Sequence, residues 1–261
     1  MPLDMSRLKD PAKTWDKVHS KGVEYQVEIP EYGWKKLKQA FAYLVREGAT
    51  SVLDLGCGVG NALETLSKTF QTVVALDIAP KSIEFCKKLC NSRKLRNVTC
   101  VNASMTDMGD VQCDLDVIVT LNSLTVPSIQ QIKDTLMECH RLLEHSKGHL
   151  LGVLPSMDSY HFEQLVLIDH NMKRGLSEDE AKTAVMNQGY KDLDFRYGRT
   201  TGFNVLQHFW TPHEIEYRLS QAGFELLELE KIHLTWSDAT YLKVKEPMLP
   251  WDWFFLSKVK S

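Results

Sequence analysis

No apolar run in this 261-residue chain approaches the ~20 residues of a membrane span. Neither sign of charge dominates: 31 Lys and Arg stand against 34 Asp and Glu, a formal net charge of -3. A basic face is absent, so nucleic acid is not an expected partner, and neither is a membrane. The opening stretch, Met1 to Lys17, is polar and lacks the apolar centre of a secretory signal. A cytoplasmic location is expected, with a nuclear one left open. No G-K-[ST] run exists, which excludes a P-loop. The six cysteines are Cys57, Cys86, Cys90, Cys100, Cys113 and Cys139, and they form no second pair and no Cys/His spacing suited to zinc. Free thiols and no metal site are expected.

What is present is a rhythm. From about residue 35, helical and strand patterns alternate. Helices are predicted over 34–48, 61–70, 79–94 and 129–145, and strands over 51–56, 72–77, 98–103, 115–122 and 148–155. The run "LDVIVTLN" is nearly all apolar, as strands covered on both faces are. This order predicts an α/β fold with a doubly wound, mostly parallel sheet. The rhythm breaks over 156–205, where two helices and no strong strand before Phe203 are expected. Their apolar residues, Phe162, Leu165 and Val166 on one and Ala181, Ala184 and Val185 on the other, are expected to pack on the sheet rim. Order resumes with a helix from Thr211 and strands over 224–232 and 252–259. The division is an arm (1–34), a core (35–155 and 206–261) and a helical cap inserted in the same domain (156–205).

The stretch "VLDLGCGVGN", Val52 to Asn61, places Gly56, Gly58 and Gly60 directly after the first strand. Such a turn lets a ligand approach the backbone, at the carboxyl ends of parallel strands where strand order reverses. A dinucleotide site favours G-x-G-x-x-G, but Asn61 occupies the third glycine position, which weakens a nicotinamide reading. Asp77 ends the second strand, where a carboxylate can accept both hydroxyls of a ribose. It is expected to face the ligand, with little consequence for folding. Asp54 inside an apolar strand is costly unless it serves a site.

With these residues the chain resembles the class I S-adenosylmethionine-dependent methyltransferases, on its small-molecule side. The resemblance rests on "VLDLGCGVGN", "VVALD", "VTCVNASMTDM", "DLDVIVTLNSL", "GHLLGVLP" and the late "WTPHEIEYRLSQAGFELLELE". It implies a seven-stranded sheet, S-adenosylmethionine as cofactor and S-adenosylhomocysteine as product. It also implies Asp54 at the cofactor's ammonium, the three glycines and Asn61 beneath it, Asp77 at the ribose, and Ile78 beside the adenine. Ala103 and Ser104 would lie at the adenine edge, and Asn122 by the methionine part and the substrate. Asn102-Ala103 departs from the Gly-Asp or Ala-Asp of many relatives, and Ser104 and Asn122 can equally cap loops.

The acceptor is less legible. "NSLTVPS" is not the N-P-P-Y clamp of relatives acting on amide or exocyclic nitrogens. Candidate substrate residues are Tyr25, Tyr160, His161, His170, Tyr197 and Arg199, with His208 the candidate base. Trp15 and Tyr25 either close over the cofactor or anchor the core. "PWDW", Pro250 to Trp253, is expected to pack the last strand, with a stacking platform for an aromatic substrate as the alternative. A small-molecule acceptor leads; a protein or peptide acceptor, or an inactive cofactor-binding partner subunit, stay open.

Overall fold

The computed structural model describes residues 11–18, 29–111, 114–187, 194–202, 205–237 and 246–260. In chain order these form α1 (Pro11–Val18), α2 (Glu31–Arg46), β1 (Ser51–Leu55), α3 (Leu63–Thr69), β2 (Thr72–Asp77), α4 (Pro80–Arg93), β3 (Val98–Asn102) and β4 (Val117–Leu121). They continue as α5 (Ile129–Leu143), β5 (His149–Pro155), α6 (Met157–Lys173), α7 (Glu178–Val185), β6 (Arg199–Gly202) and β7 (Val205–His208). The last are α8 (Pro212–Gln221), β8 (Phe224–His233) and β9 (Trp251–Val259).

Seven strands form one sheet in the order β3-β2-β1-β4-β5-β9-β8. The first five are parallel, and β9 runs antiparallel between β5 and β8. Strand order therefore reverses between β1 and β4, which opens a crevice at their carboxyl ends. Apolar side chains on one sheet face pack against Ile132 and Leu136 of α5 and Ile215 and Leu219 of α8. The other face packs against Leu37 and Phe41 of α2, Leu66 of α3 and Ile83 of α4. Covering both faces explains why β1 and β4 read as almost unbroken apolar runs. At the opposite, amino end of these strands, Asp116 fixes β1 beside β4: its Oδ2 accepts from the Thr50 and Ser51 N–H groups at 2.7 and 3.0 Å.

The helix ends follow their local chemistry. Thr211 caps α8 by accepting from Glu214 N, with Pro212 in the first turn. Ser177 and Glu180 form a reciprocal capping box on α7. The cap region departs from expectation at one point. Residues 199–202 and 205–208 pair as an antiparallel hairpin, so a strand precedes Phe203 and the hairpin straddles the boundary drawn at 205. The helices α6 and α7 bury Leu167 and Val185 against Trp236. Leu165, expected on that face, is instead 52% exposed. Tyr25 lies outside the described residues.

Candidate functional site

The loop after β1 turns on three glycines with φ of +72° (Gly56), +52° (Gly58) and +95° (Gly60). Gly56 is required twice over. Its φ is left-handed, and an added Cβ would lie 2.5 Å from the Ser123 Cβ of the loop after β4. The Gly56 and Cys57 N–H groups both donate to Leu76 O, at 2.8 and 2.9 Å, which folds the loop back over the end of β2.

Asp77 completes this lock from the β2 side. It is 6% exposed. Its Oδ2 accepts from Gly58 N at 2.9 Å and its Oδ1 from Ala79 N at 2.8 Å. Beside it, the Asn102 side chain and the Ala103 N–H donate to Asp77 O, at 2.9 and 3.2 Å, bringing the end of β3 to the end of β2. Asp54 is buried within β1, in register with Ala75 and Val119. The Cys57 thiol sits between these groups. Its hydrogen bond with Cys86 and its burial push its pKa well up, and the charges of Asp54 and Asp77 push the same way. Ile78 is half-buried and Asn61 exposed on the rim. Ser104 is half-buried and its hydroxyl holds a turn, bonding Thr106 Oγ1 at 2.8 Å.

At the end of β4, Asn122 adopts φ +53°, a conformation that Asn tolerates better than most residues. Its N–H donates to Val153 O at 2.8 Å, and its Nδ2 donates to Asp252 Oδ2 at 3.2 Å. Its Oδ1 is buried and accepts no hydrogen bond. Asp252 opens β9 opposite Pro155. Burial raises its carboxyl to about 7, against the opposing bonds from Asn122 and the Ser156 N–H. Sequence reasoning passed over Asp252 as a packing residue, although a lone carboxylate in an apolar strand was the signal that marked Asp54.

The loop after Asn122 is strapped down by the hairpin. His208 N donates to Thr125 O, Trp210 Nε1 to Leu124 O and Arg199 Nε to Pro127 O, each at 2.9 Å. His208 itself is enclosed, at 1% exposure. Its Nε2 lies 3.0 Å from Glu214 Oε2, and Arg218 Nε donates to Glu214 Oε1 at 3.2 Å. Burial raises the Glu214 carboxyl, but the His208 and Arg218 interactions outweigh it and hold the pKa below its ordinary value. Tyr160 is half-buried beneath the hairpin, with Thr200 Oγ1 3.3 Å from its hydroxyl and its ring against Phe209; burial raises its pKa. His161 is exposed, edge-on to Phe195, and His170 is half-buried in the last turn of α6. Tyr197 is exposed, with the Arg196 and Arg199 guanidinium groups over its ring. The fold thus gathers Asp54, the glycines, Asp77, Ala103 and Asn122 at one end of the parallel strands, with Ile78, Ser104 and Asn61 around them. It does not bring His161, His170 or Tyr197 into that cluster. Among the described residues no group of three or more His, Cys, Asp or Glu could hold a metal ion, and no helix is long and apolar enough to cross a membrane.

The fold and the loop define a Rossmann-like α/β sheet with a crevice at the carboxyl ends of its parallel strands. Residues 52–146 match the family model described as a methyltransferase domain. A methyltransferase of solved structure from Methanosarcina mazei, S-adenosylmethionine-dependent, is 16% identical, covers 81% of this chain and 93% of its own, and has a TM-score of 0.59. The N-methyltransferase NodS from Bradyrhizobium japonicum, solved with S-adenosylhomocysteine, is 10% identical over 96% of this chain and 98% of its own, with a TM-score of 0.60. Magnesium protoporphyrin IX methyltransferase from Synechocystis, also solved with S-adenosylhomocysteine, is 13% identical over 95% of each chain, with a TM-score of 0.56. A stretch of 75 residues is 30% identical to a tRNA/tmRNA (uracil-C(5))-methyltransferase of Campylobacter lari, covering 29% of this chain and 22% of that enzyme. Residues 52–146 thus carry a methyltransferase domain, set in a Rossmann-like fold that these solved structures share.

Proposed function

We propose that this methyltransferase acts on a small-molecule acceptor, held between the carboxyl ends of β4 and β5 and the cap. The observation that carries this reading is the strapping of residues 124–127 by the hairpin and by Trp210 just after it, through three hydrogen bonds. A wall fixed this way suits an enclosed ligand better than an open groove for a protein chain. Among similar folds, the Synechocystis enzyme acts on a porphyrin, a small molecule.

In this reading the open backbone at Gly56, Gly58 and Gly60 receives the cofactor, with Asn61 at the rim. Asp77 accepts from the ribose with the lone pairs left by Gly58 and Ala79. Ile78, Ala103 and Ser104 flank the adenine, Asp54 serves the methionine part, and Asn122 stands between the methionine part and the substrate. S-adenosylmethionine supplies a methyl group made electrophilic by its sulfonium. The protein's contribution is then alignment and exclusion of water. Tyr160 and Arg199 shape the acceptor side. Tyr25, His161, His170 and Tyr197 keep only their sequence-based candidacy. His208, closed off against Glu214, acts as a positioning residue that sets the hairpin on the loop.

Calorimetry with S-adenosylmethionine, S-adenosylhomocysteine and NAD, followed by labelled-methyl transfer into size-fractionated cell extract, tests the proposal. Saturable binding of the first two and label in the low-mass fraction are expected. Label confined to protein or RNA refutes the small-molecule acceptor.

A further inference from the structure

We propose that Asn122 and Asp252 form the acceptor subsite, and that it takes an amine. The proposal rests on the methyl-transfer reading above and narrows it to one substrate class. Three observations carry it. Asn122 Oδ1 is buried with no donor, a state that folded proteins seldom leave unexplained. Asp252, 7% exposed, stands beside it, joined through Asn122 Nδ2 at 3.2 Å. Asn122 closes β4 and Asp252 lies on β9, two strands further from the Gly58–Asp77 lock in the order β2-β1-β4-β5-β9. Adjacent strands stand roughly 4.8 Å apart, so the backbones of β4 and β9 are some 10 Å apart, and the side chains of Asn122 and Asp252 close that gap by meeting over the end of β5.

The subsite offers acceptors: one amide oxygen and one carboxylate. It therefore selects a group that brings donors, and an ammonium brings three. A carboxylate or phosphate ligand would meet like charge, and a hydroxyl would satisfy only one of the two oxygens. The groups acting on Asp252 are the Asn122 amide and the Ser156 N–H. No charged side chain of α2, α6 or β8 among the described residues adds to them; Lys231 of β8 lies over the Trp251 and Trp253 rings instead.

The site also prepares the nitrogen. An ammonium has no lone pair with which to attack a methyl group. When it donates to ionised Asp252, one N–H bond breaks, its electron pair stays on nitrogen and the proton passes to the carboxylate oxygen. Two buried charges become two neutral groups, the direction that low-dielectric surroundings favour. The titration of Asp252 near neutrality fits this exchange.

The test uses the full chain saturated with S-adenosylhomocysteine and three matched probes: propylammonium, propanol and propionate. Nuclear magnetic resonance follows the Asn122 side-chain amide and the Asp252 carboxyl carbon at about pH 8, above the titration of a free carboxylate. Propylammonium, at up to about 50 mM, is expected to shift both signals saturably. It should move the Asp252 carbon toward its protonated position, and Asp252→Asn should abolish the response at Asn122. No saturable shift, or an equal response to propanol or propionate, overturns the amine subsite. A shift of Asp252 away from the protonated position overturns the proton transfer. Failure to bind S-adenosylhomocysteine in calorimetry counts against the methyl-transfer reading instead, so the two failures are distinguishable.

Discussion

Replacing Asp77 by alanine tests how the cofactor loop is held. Both carboxylate oxygens accept from backbone N–H groups, Gly58 at 2.9 Å and Ala79 at 2.8 Å, and the side chain is buried. Hydrogen bonds to a charged acceptor are worth about 1.5–3 kcal/mol each. Relief from burying the carboxylate offsets part of that sum, and water entering the vacated space offsets more. A net loss of about 3 kcal/mol is expected, a large share of the 5–15 kcal/mol that typically separates folded from unfolded chains. For a chain of this size the loss lowers Tm by roughly 6–12 °C. Asp77→Asn keeps the shape but turns a donor toward one of the two N–H groups, so it should be nearly as damaging. The assay is urea denaturation and thermal melting of the three proteins, without ligand and with saturating S-adenosylhomocysteine. A midpoint unchanged in both variants, together with weakened product binding, would mean that Asp77 serves only the ligand, and would refute the loop-lock argument. That outcome is the one expected from sequence alone.

Gly56→Ala should destabilise the fold by about 2–4 kcal/mol, from a left-handed φ and a Cβ placed 2.5 Å from Ser123 Cβ. Adding Ser123→Gly should restore only the overlap part, which denaturation of the double variant measures. Asp116 is half-buried; burial raises its pKa, but its bonds from Thr50 and Ser51 outweigh this and hold it below the ordinary value. Its contribution is therefore present above about pH 4, the unfolded value, and lost as pH falls through the lower folded value. Asp116→Ala should remove that acid-side dependence in urea titrations run from pH 6 downward to about pH 3. Asp252 has the opposite sign: its folded value of about 7 exceeds the unfolded value of about 4. Stability from its proton is complete below about pH 4 and lost as pH rises through about 7, and Asp252→Asn should flatten that slope. If the mutant keeps the wild-type slope, the titrating group is another one.

The central fold was legible because two signals coincide there. Strands β1 and β4 are buried on both faces and therefore read as apolar runs. The glycine loop carries its own signal, with Asp54 inside β1 and Asp77 at the end of β2. The hairpin was not legible. "RTTG" has no apolar residue, and "VLQH" has only two; these segments become strands through each other and through Thr125 O. That anchor, Thr125, lies more than 80 positions before His208 in the chain and leaves no local pattern. The enclosure of His208 was not legible for a related reason: position before a helix says nothing about burial, and its partner Glu214 stands six residues on. Asp252 was visible as an anomaly, a carboxylate between two tryptophans, but the flanking aromatics drew the reading toward packing.

The place of β9 has a consequence for how the molecule is made. It is the last strand in chain order, yet it lies inside the sheet, with β5 on one side and β8 on the other. During synthesis, β1 to β5 and their helices can assemble with their cofactor loop formed while the edge of β5 still lacks its neighbour. That edge carries Leu150, Leu151, Val153 and Leu154, an apolar strand with open backbone groups, which is a template for wrong pairing. Strand β8 cannot dock meanwhile, because its partner in the sheet is β9 and not β5. A chain interrupted before Trp251 would therefore hold a nearly complete parallel half beside a sticky, unfinished edge. Ribosome stalling over the final strand would make a chaperone client of it, whatever its affinity for the cofactor.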